Sequence, residues 1–324
     1  MSGVAMDLFE AEVTRVERLS RDFVRISLAS AGLTGLVAPA GDGAGPVRDA
    51  YLKLLIPHPE APGPVRFALD EAWRREWFAA GPRERGGWMR TYTLRAARAW
   101  EGPGGEPGVE VDIDFVLHGH GHDDAAGMGP GAAWAASAEP GAALSFIAPT
   151  REGRLWAMWE PGGAETVLIC ADETAVPAAI SVLGALPEGS SARLLLELPA
   201  GNEALGEAVA GEVEEARRTA DVELVWLPRG ADDVRGEPTL RALRDCLGLA
   251  PHARDRDVEE LRSQRVGAEE IVWGLSEDPR GLYVYLAGEA SVVRAARRVC
   301  VDEAGIDKSS ISFMGYWKAG RAES

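Results

Sequence analysis

Residues 166–170 read TVLIC, and this uninterrupted apolar run decides the fold of the second half of the chain. Three similar runs follow it: RLLLEL at 193–198, VELVWL at 222–227 and LYVYLA at 282–287. Short continuous apolar runs are typical of parallel strands covered on both faces. Helical periodicity occurs at 203–220 and 289–304. The highly charged segment 229–270 is interpreted as a surface excursion that contains helix and has no inferred function. Alternating strands and helices predict a three-layer α/β domain with a parallel sheet over residues 150–324.

The first half of the chain has a different pattern. Residues 9–19 (FEAEVTRVERL) and 23–30 (FVRISLAS) alternate apolar with polar side chains, as half-buried strands do. Further candidate strands, separated by segments rich in glycine and proline, lie at 50–56, 90–95, 109–117 and 143–147. Short strands of this kind predict an antiparallel six-stranded β-barrel over residues 1–149.

Composition limits the classes of partner. The 324 residues include 51 Asp and Glu against 34 Lys and Arg, for a formal net charge of −17. This charge opposes binding to nucleic acid and to anionic membranes, so we expect small molecules or proteins as partners. The sequence lacks an apolar run long enough for a membrane span and a signal-peptide pattern at its start, so we expect a cytoplasmic protein. Its three cysteines predict neither a disulfide framework nor an iron–sulfur cluster, so redox chemistry would need a bound cofactor.

No G-x-G-x-x-G follows a predicted strand, so a cofactor site needs another basis than the usual dinucleotide fingerprint. The candidate is the strand of Arg90, Thr91, Tyr92 and Thr93. An arginine suits a pyrophosphate, a tyrosine ring can pack on a flavin, and a threonine hydroxyl can reach a ring nitrogen. Residues 74–98 hold seven Arg and two Glu, and this local positive charge favours an anion site. The residues alone leave two alternatives open: an ordinary half-buried strand, and a solvated basic face that balances acidic neighbours.

A second candidate begins at His118 and Gly119, which follow the predicted strand at 109–117. The sequence GPGAAW at 129–134 comes next, and a glycine turn that starts a helix offers backbone N–H groups to a phosphate. The alternating histidines of the intervening HGHGH could be interpreted as metal ligands. A solvated loop is the better interpretation, because such histidines would lack orienting partners.

Several short segments in the same order resemble the siderophore-interacting protein family of FAD-dependent ferric-siderophore reductases. They are the strand of Lys53, RTYT at 90–93, DFVLHG at 114–119, GP at 129–130, ADETAVPA at 171–178, AGEA at 287–290 and GYWKAG at 315–320. The resemblance implies a ferredoxin-reductase-like architecture. An N-terminal FAD-binding barrel would precede an α/β domain that receives NADH or NADPH, with a C-terminal segment returning to the active site.

The resemblance also implies roles for individual residues. Arg90 would hold the FAD pyrophosphate beside Thr91, Tyr92 would pack along the flavin, and Thr93 would bind the ring near N5. The diphosphate and adenosine side would be lined by His118, Gly119, Gly129, Pro130 and Trp134. The nicotinamide pocket would be bordered by two strand-to-helix turns, Asp172, Glu173, Thr174 and Ala175 in one and Gly288 and Glu289 in the other. The siderophore would meet Lys53, Lys318, Tyr316 and Trp317.

These roles imply an enzyme in which NADH or NADPH reduces the flavin, and the flavin reduces Fe(III) held by a siderophore. No side-chain acid or base is required, and none is assigned. Ala132 and Ala133 replace a hydroxyl residue and a basic residue of the family pattern. They keep open a non-catalytic flavin- or siderophore-binding protein, and a general flavin reductase of other acceptors is a further alternative. The electron donor is open between NADH, NADPH and reduced ferredoxin. Judged by spacing alone, the turns at 172–175 and 288–289 would be ordinary strand-to-helix connections.

Overall fold

The computed structural model describes residues 5–36, 47–117, 128–251, 259, 261, 270 and 272–320. The chain divides into two compact units, with the boundary between Ala157 and Met158. Each unit is built around one sheet. Within the described ranges, no helix combines the length and the apolar character needed to cross a bilayer.

The first unit contains a seven-stranded antiparallel sheet. Its strands are β1 (Met6–Arg18), β2 (Phe23–Ser30), β3 (Tyr51–Pro57), β4 (Gly87–Thr93), β5 (Ala96–Glu101), β6 (Pro107–Val116) and β7 (Ala143–Pro149). They follow the order β4-β3-β7-β1-β2-β6-β5, and every pairing is antiparallel. The antiparallel β-class is confirmed. The expected six-stranded barrel is wrong in its strand count, because β5 (AARAWE) follows β4 without a turn signal.

Alternating burial explains the first sheet. On β1, Phe9, Ala11 and Val13 are buried, whereas Glu10 and Glu12 between them are exposed. Most buried apolar side chains of the strands share one core with those of a short helix, whereas Leu55 and Ile147 pack with Trp77 in a second cluster. The helices of this unit are α1 (Trp73–Ala79) and α2 (Pro130–Ser137). Strand β4 and the start of α2 therefore pack on the same core.

The second unit contains a six-stranded sheet in the order β10-β9-β8-β12-β13-β11. Its strands are β8 (Gly163–Asp172), β9 (Ser191–Pro199), β10 (Asp221–Arg229), β11 (Trp273–Gly274), β12 (Arg280–Glu289) and β13 (Ile311–Trp317). All pairings are parallel except that of β11 with β13. The chain moves from β8 to β9 and β10 on one side, then returns to β12 and β13 on the other. Ligands of such sheets bind outside the carboxyl ends of the strands where the order reverses, here between β8 and β12.

Helices connect these strands, as the sequence predicts for an α/β domain. They are α3 (Val176–Ser181), α4 (Ala204–Ala208), α5 (Ala210–Ala216), α6 (Glu237–Cys246) and α7 (Ala290–Arg298). Leu168 and Cys170 of β8 pack in one core with Leu240 of α6 and Val293 of α7. The α/β class of the second half is confirmed. The charged segment 229–270 contains helix, as expected, but α6 buries Leu240 and Leu243 in this core, so this part of the segment does not lie only at the surface.

Candidate functional site

Strand β4 carries the first set of predicted site residues. Arg90, Thr91 and Tyr92 pair with Leu54, Lys53 and Leu52 of β3, and Thr93 ends the strand as a buried residue. Nζ of Lys53 donates a hydrogen bond to Oγ1 of Thr91 at 2.5 Å. The structure therefore brings a predicted acceptor residue next to a predicted cofactor residue.

Tyr92 connects β4 with the start of α2. Its ring centroid lies 4.5 Å from that of Phe115, which in turn lies 5.6 Å from the ring of Trp134 on α2. A Cβ atom on Gly131 would lie only 2.2 Å from the Tyr92 hydroxyl oxygen. The RTYT strand and the GPGAAW segment therefore share one location, whereas His118 and Gly119 lie outside the described residues.

The start of α2 has the composition of an anion-binding helix end. Gly129 is the N-cap, Pro130 takes the first turn, and among the described residues no side chain caps the helix. Ala132 is buried, whereas Ala133 is exposed. Backbone N–H groups at such a helix end favour negative charge, and Arg90 lies on the strand whose Tyr92 contacts this helix start.

The arginines of 74–98 do not form one anion site. Arg98 pairs with Asp112 at 2.7 Å, and Nε of Arg95 lies 3.6 Å from a carboxylate oxygen of Asp114. Three others have separate contacts: Arg83 with Glu60, Arg74 over the Trp73 ring and Arg85 over the Trp77 ring. The alternative of a basic face that balances acidic neighbours therefore fits Arg83, Arg95 and Arg98, and the anion site at Arg90 stays a prediction.

Arg90 and Arg85 nevertheless contribute positive potential together. Burial and, second, the charge of Arg90 lower the pKa of Arg85. Nη1 of Arg90 donates to the backbone oxygen of Met89 at 2.8 Å, and its side chain is half-buried. The two guanidinium groups are therefore close enough to repel each other electrostatically.

In the second unit, Asp172 ends β8 at the point where the strand order reverses. Its Oδ1 accepts hydrogen bonds from the backbone N–H and the hydroxyl of Thr174, at 2.9 and 2.6 Å. Its Oδ2 accepts from the backbone N–H of Glu289 at 2.8 Å and from Nε1 of Trp317 at 3.0 Å. Burial and then the charge of Glu173 raise the pKa of Asp172 to about 6. Asp172 therefore joins β8 to the ends of β12 and β13.

The second strand-to-helix turn lies directly against the first. Gly288 has φ +139°, and a Cβ atom there would lie 2.6 Å from the carboxyl carbon of Asp172. Only glycine tolerates both the backbone conformation and this close approach. The Glu289 carboxylate caps α7 by accepting from the backbone N–H groups of Ser291 and Val292, and it also accepts from Ala319 at 3.0 Å. Asp172, Gly288 and Glu289 are thus brought together as the sequence interpretation requires.

Glu173 belongs to an ion-pair network that the sequence interpretation did not include. It is fully buried and pairs with Arg229 at 3.2 Å and with Arg235. Arg229 also pairs with Glu197 at 2.8 Å, and Glu197 accepts from the hydroxyl of Thr239 at 2.6 Å. Burial alone would raise the pKa of Glu173, but the two guanidinium groups hold it below its ordinary value.

A weak sequence signal for this network existed. A carboxylate at the end of an apolar strand needs cationic partners if it is buried. Arg229 and Arg235, however, come from a segment with many charges, and nothing in the sequence distinguishes them from exposed arginines.

The residues of GYWKAG have different surroundings. The guanidinium carbon of Arg235 lies 4.7 Å from the Trp317 ring centroid, and Trp317 binds Asp172. The hydroxyl oxygen of Tyr316 lies 3.2 Å from that of Tyr285. Nζ of Lys318 donates to the backbone oxygen of Glu270. Trp317, expected at the acceptor site, therefore lies with the residues expected at the nicotinamide pocket, where Thr174 and the buried Ala175 also lie.

Among the residues that the structure describes, no three His, Cys, Asp or Glu side chains are grouped so that they could hold a metal ion. The histidines of HGHGH lie outside those residues.

The chain is similar to proteins of known name. It is 27% identical to the ferric vibriobactin reductase ViuB of Vibrio cholerae over 96% of this chain and 93% of that protein. A siderophore utilization protein from T. fusca matches with a TM-score of 0.60 and 24% identity, covering 98% of this chain and 95% of that one. The cytochrome b5 reductase domain of Ulva prolifera nitrate reductase matches with a TM-score of 0.53 and 12% identity, covering 95% and 97%. These structural matches show a ferredoxin-reductase-like fold.

Family models agree with this fold and extend over both units. Residues 12–153 match the siderophore-interacting FAD-binding domain, which includes β4 and α2. Residues 164–320 match the siderophore-interacting protein model, which includes both strand-to-helix turns and Trp317. With nearly every described site residue inside one of these two matches, the chain belongs to the siderophore-interacting protein family.

Proposed function

We propose that the protein is an FAD-dependent reductase that uses NADH or NADPH to reduce Fe(III) held by a siderophore, with release of Fe(II). One observation carries the proposal. Tyr92 and Gly131 join the RTYT strand to the start of α2, within the residues that match a siderophore-interacting FAD-binding domain. The ferric reductase named in Vibrio cholerae supports the proposed acceptor.

The residues of the first unit fit FAD by their chemistry. Arg90 would bind the diphosphate, together with backbone N–H groups at the start of α2. The Tyr92 ring would pack along the flavin, and the hydroxyl groups of Thr91 and Thr93 would orient it. Bound FAD would supply the conversion between a two-electron donor and a one-electron acceptor. The side chains would bind and orient, and none is assigned as a proton donor or acceptor.

The second unit would receive the nicotinamide donor at the edge where β8 and β12 end. Asp172, Glu173, Thr174 and Ala175 border this edge on one side, and Gly288 and Glu289 border it on the other. The general position of ligands in open α/β sheets supports this placement. Ferredoxin as the donor and the cytoplasmic location stay predictions.

Reduction releases iron for a chemical reason. Hard, anionic oxygen donors bind Fe(III) far more tightly than Fe(II), so adding one electron weakens the siderophore complex. Ferric siderophores with several negative charges would need cations in an acidic protein, and Lys53 and Lys318 are the proposed contacts. Tyr316 would add a flat surface, whereas Trp317, also expected at the acceptor, binds Asp172 among the residues of the proposed nicotinamide pocket.

An alternative of another class is a non-catalytic flavin- or siderophore-binding protein. The exposed methyl group of Ala133 favours it, since no cation or hydroxyl is available at this position of α2. A general flavin reductase acting on quinones or ferric chelates is a further alternative. Both make different predictions from the main proposal.

One experiment separates these functions. The purified full chain is loaded with FAD, reduced anaerobically with NADH or NADPH, and then mixed with a ferric siderophore or a quinone. We expect the flavin absorbance to bleach with the nucleotide and to return fastest with the ferric siderophore. No bleaching would favour the binding protein, faster return with quinone would favour the general reductase, and no uptake of FAD would remove the proposal.

The FAD assignment has its own variant. Arg90→Ala should weaken FAD retention, because it removes the proposed diphosphate contact. Arg83→Ala is the matched control, since its pair with Glu60 is exposed at the surface. Equal FAD content in both variants would contradict the role of Arg90.

A further inference from the structure

We infer that Asp172 and Arg235 are positioning residues for Trp317, and that they hold its indole ring in one orientation at the carboxyl edge of the second sheet. Neither pairing follows from the sequence, because Trp317 lies far along the chain from both partners. The kinetic part of the inference rests on the proposed function, whereas its structural part does not.

The two contacts restrain different motions of the ring. Oδ2 of Asp172 accepts from Nε1 at the edge of the indole, 3.0 Å away. The guanidinium of Arg235 lies over the face of the ring, with its central carbon 4.7 Å from the centroid. A directional hydrogen bond at the edge limits rotation in the ring plane, and a cation over the face limits tilting out of that plane.

Each positioning group is itself held in place. Asp172 also binds the backbone N–H and hydroxyl of Thr174 and the backbone N–H of Glu289. Arg235 pairs with Glu173, whose side chain is completely buried and also binds Arg229. A side chain can orient a neighbour only if its own rotamer is fixed, and both meet this condition.

The Asp172 carboxylate is fully used by these contacts. An ionised carboxylate offers about four acceptor positions, and four protein donors take them. Its oxygens therefore act through Trp317 and the β12 turn rather than as direct ligands of a nucleotide hydroxyl. The group that this edge can present to a flat ligand ring is the indole.

The backbone beyond Trp317 is attached to the same turn. Oε1 of Glu289 accepts from the backbone N–H of Ala319 at 3.0 Å, while Oε2 caps α7. Trp317 and Glu289 are also register partners of β13 and β12. The indole is thus restrained through its side chain and through the chain on either side of it. A ring fixed in this way would accept the nicotinamide of the donor in a limited set of orientations.

The structural part is tested by the indole N–H resonances in a ¹H–¹⁵N spectrum of the full chain. The Trp317→Phe variant identifies the Trp317 signal. We expect solvent exchange of this N–H to rise about tenfold in Asp172→Ala and less in Asp172→Asn, which keeps a side-chain acceptor. Arg235→Met should shift the same signal, and Arg218→Gln is the matched control because both side chains of its pair with Glu215 are exposed.

Results of two kinds would overturn this part. Unchanged exchange in Asp172→Ala would show that the carboxylate does not hold the indole. A shift in Arg218→Gln as large as in the Arg235 variant would show that the signal reports a general change in the protein. If Arg235→Met does not fold, Arg235→Lys keeps the charge toward Glu173 but loses the planar group, and it should still shift the Trp317 signal.

The kinetic part uses a double-mutant cycle on the FAD-loaded chain. We expect Arg235→Met and Trp317→Ala each to raise KM for the nicotinamide donor about fivefold to tenfold, with a smaller change in kcat. The double variant should be no worse than Trp317→Ala, because Arg235 acts through the indole. Additive effects would contradict positioning. A wild-type chain without any reductase activity would refute the proposed function instead, and the resonance measurements would still decide the positioning role.

Discussion

The hydroxyl oxygen of Tyr92 lies 2.2 Å from the point that a Cβ atom on Gly131 would occupy. The Tyr92 ring cannot move away easily, because its centroid lies 4.5 Å from that of the buried Phe115 ring. Strand β4 and helix α2 can therefore contact each other at Tyr92 and Gly131 because residue 131 has no side chain. This relationship makes Gly131 a position where the smallest possible side chain should have a large effect.

We expect Gly131→Ala to destabilise the first unit by about 1–3 kcal/mol, because the added methyl group forces Tyr92 out of its packed position. The midpoint of thermal unfolding, measured without added FAD, should fall. Gly129→Ala is the control, since a Cβ atom there meets nothing within 4 Å. Equal midpoints for the two variants would contradict the contact.

Glu173 should be among the most sensitive side chains of the second unit. Removal of one member of a buried ion pair leaves its partners uncompensated, so Glu173→Ala should lower the free energy of unfolding by about 3–5 kcal/mol. Glu223→Ala breaks an exposed pair with Arg193 and should change it by less than about 1 kcal/mol. Urea unfolding of both variants checks this, and a small effect at Glu173 would show that the network contributes little.

Asp172 should make stability depend on pH in an unusual direction. Its pKa is about 6 in the folded protein against an ordinary value of 3.8. The folded state therefore holds a proton that the unfolded state releases, so this contribution is complete below pH 3.8 and is lost as the pH rises through 6. The charged groups that act on Asp172 are Glu173, which raises its pKa, and Arg235, which lowers it.

The Asp172→Asn variant isolates this contribution, because asparagine does not titrate. Relative to the wild type, the free energy of unfolding of this variant should increase between pH 4 and pH 7 by up to about 3 kcal/mol, because only the wild type loses the contribution of Asp172. Urea unfolding at several pH values measures the difference. A difference that stays constant with pH would show that the pKa of Asp172 is not raised.

The proposed acceptor contacts can be tested with three lysines. Lys53→Ala and Lys318→Ala should each raise KM for an anionic ferric siderophore about tenfold, with little change in FAD content, since each removes a cation. Lys308→Ala is the control, because Lys308 is exposed and has no proposed role. The effect should shrink at high salt. Because Lys53 also binds Thr91, FAD content is measured in the same samples, and an unchanged KM would remove the lysine from the acceptor site.

Much of the fold follows from local patterns. The apolar run at 166–170 lies in β8, and the alternating residues 9–19 lie largely in β1. Both strands could be predicted because burial on one face produces alternating apolar side chains, whereas burial on both faces produces a continuous apolar run. Strand β5 is the exception. Its sequence, AARAWE, has neither a turn signal before it nor the β-branched residues that usually mark a strand.

The candidate site likewise contains some residues that the sequence predicts and others that it does not. The segments that carry the family resemblance are contiguous, and their residues were recognised from order and spacing: Asp172, Gly288 and Trp317 are examples. The partners Arg229 and Arg235 come from a segment whose sequence resembles any charged surface, and Glu197 lies in an apolar strand whose sequence does not indicate its partner. Their assignment depends on which strand ends lie side by side.

The amino-acid order alone determined that this chain has a β-rich part followed by an α/β part, and it determined the family, because periodicity and motifs involve residues close together in the chain. Only the tertiary structure decided which arginines compensate Glu173 and that Trp317 binds Asp172. The physical reason is that ion pairs and hydrogen bonds act over a few ångströms in space, whereas their members here are separated by tens of residues, and parallel strand pairing is what brings them together.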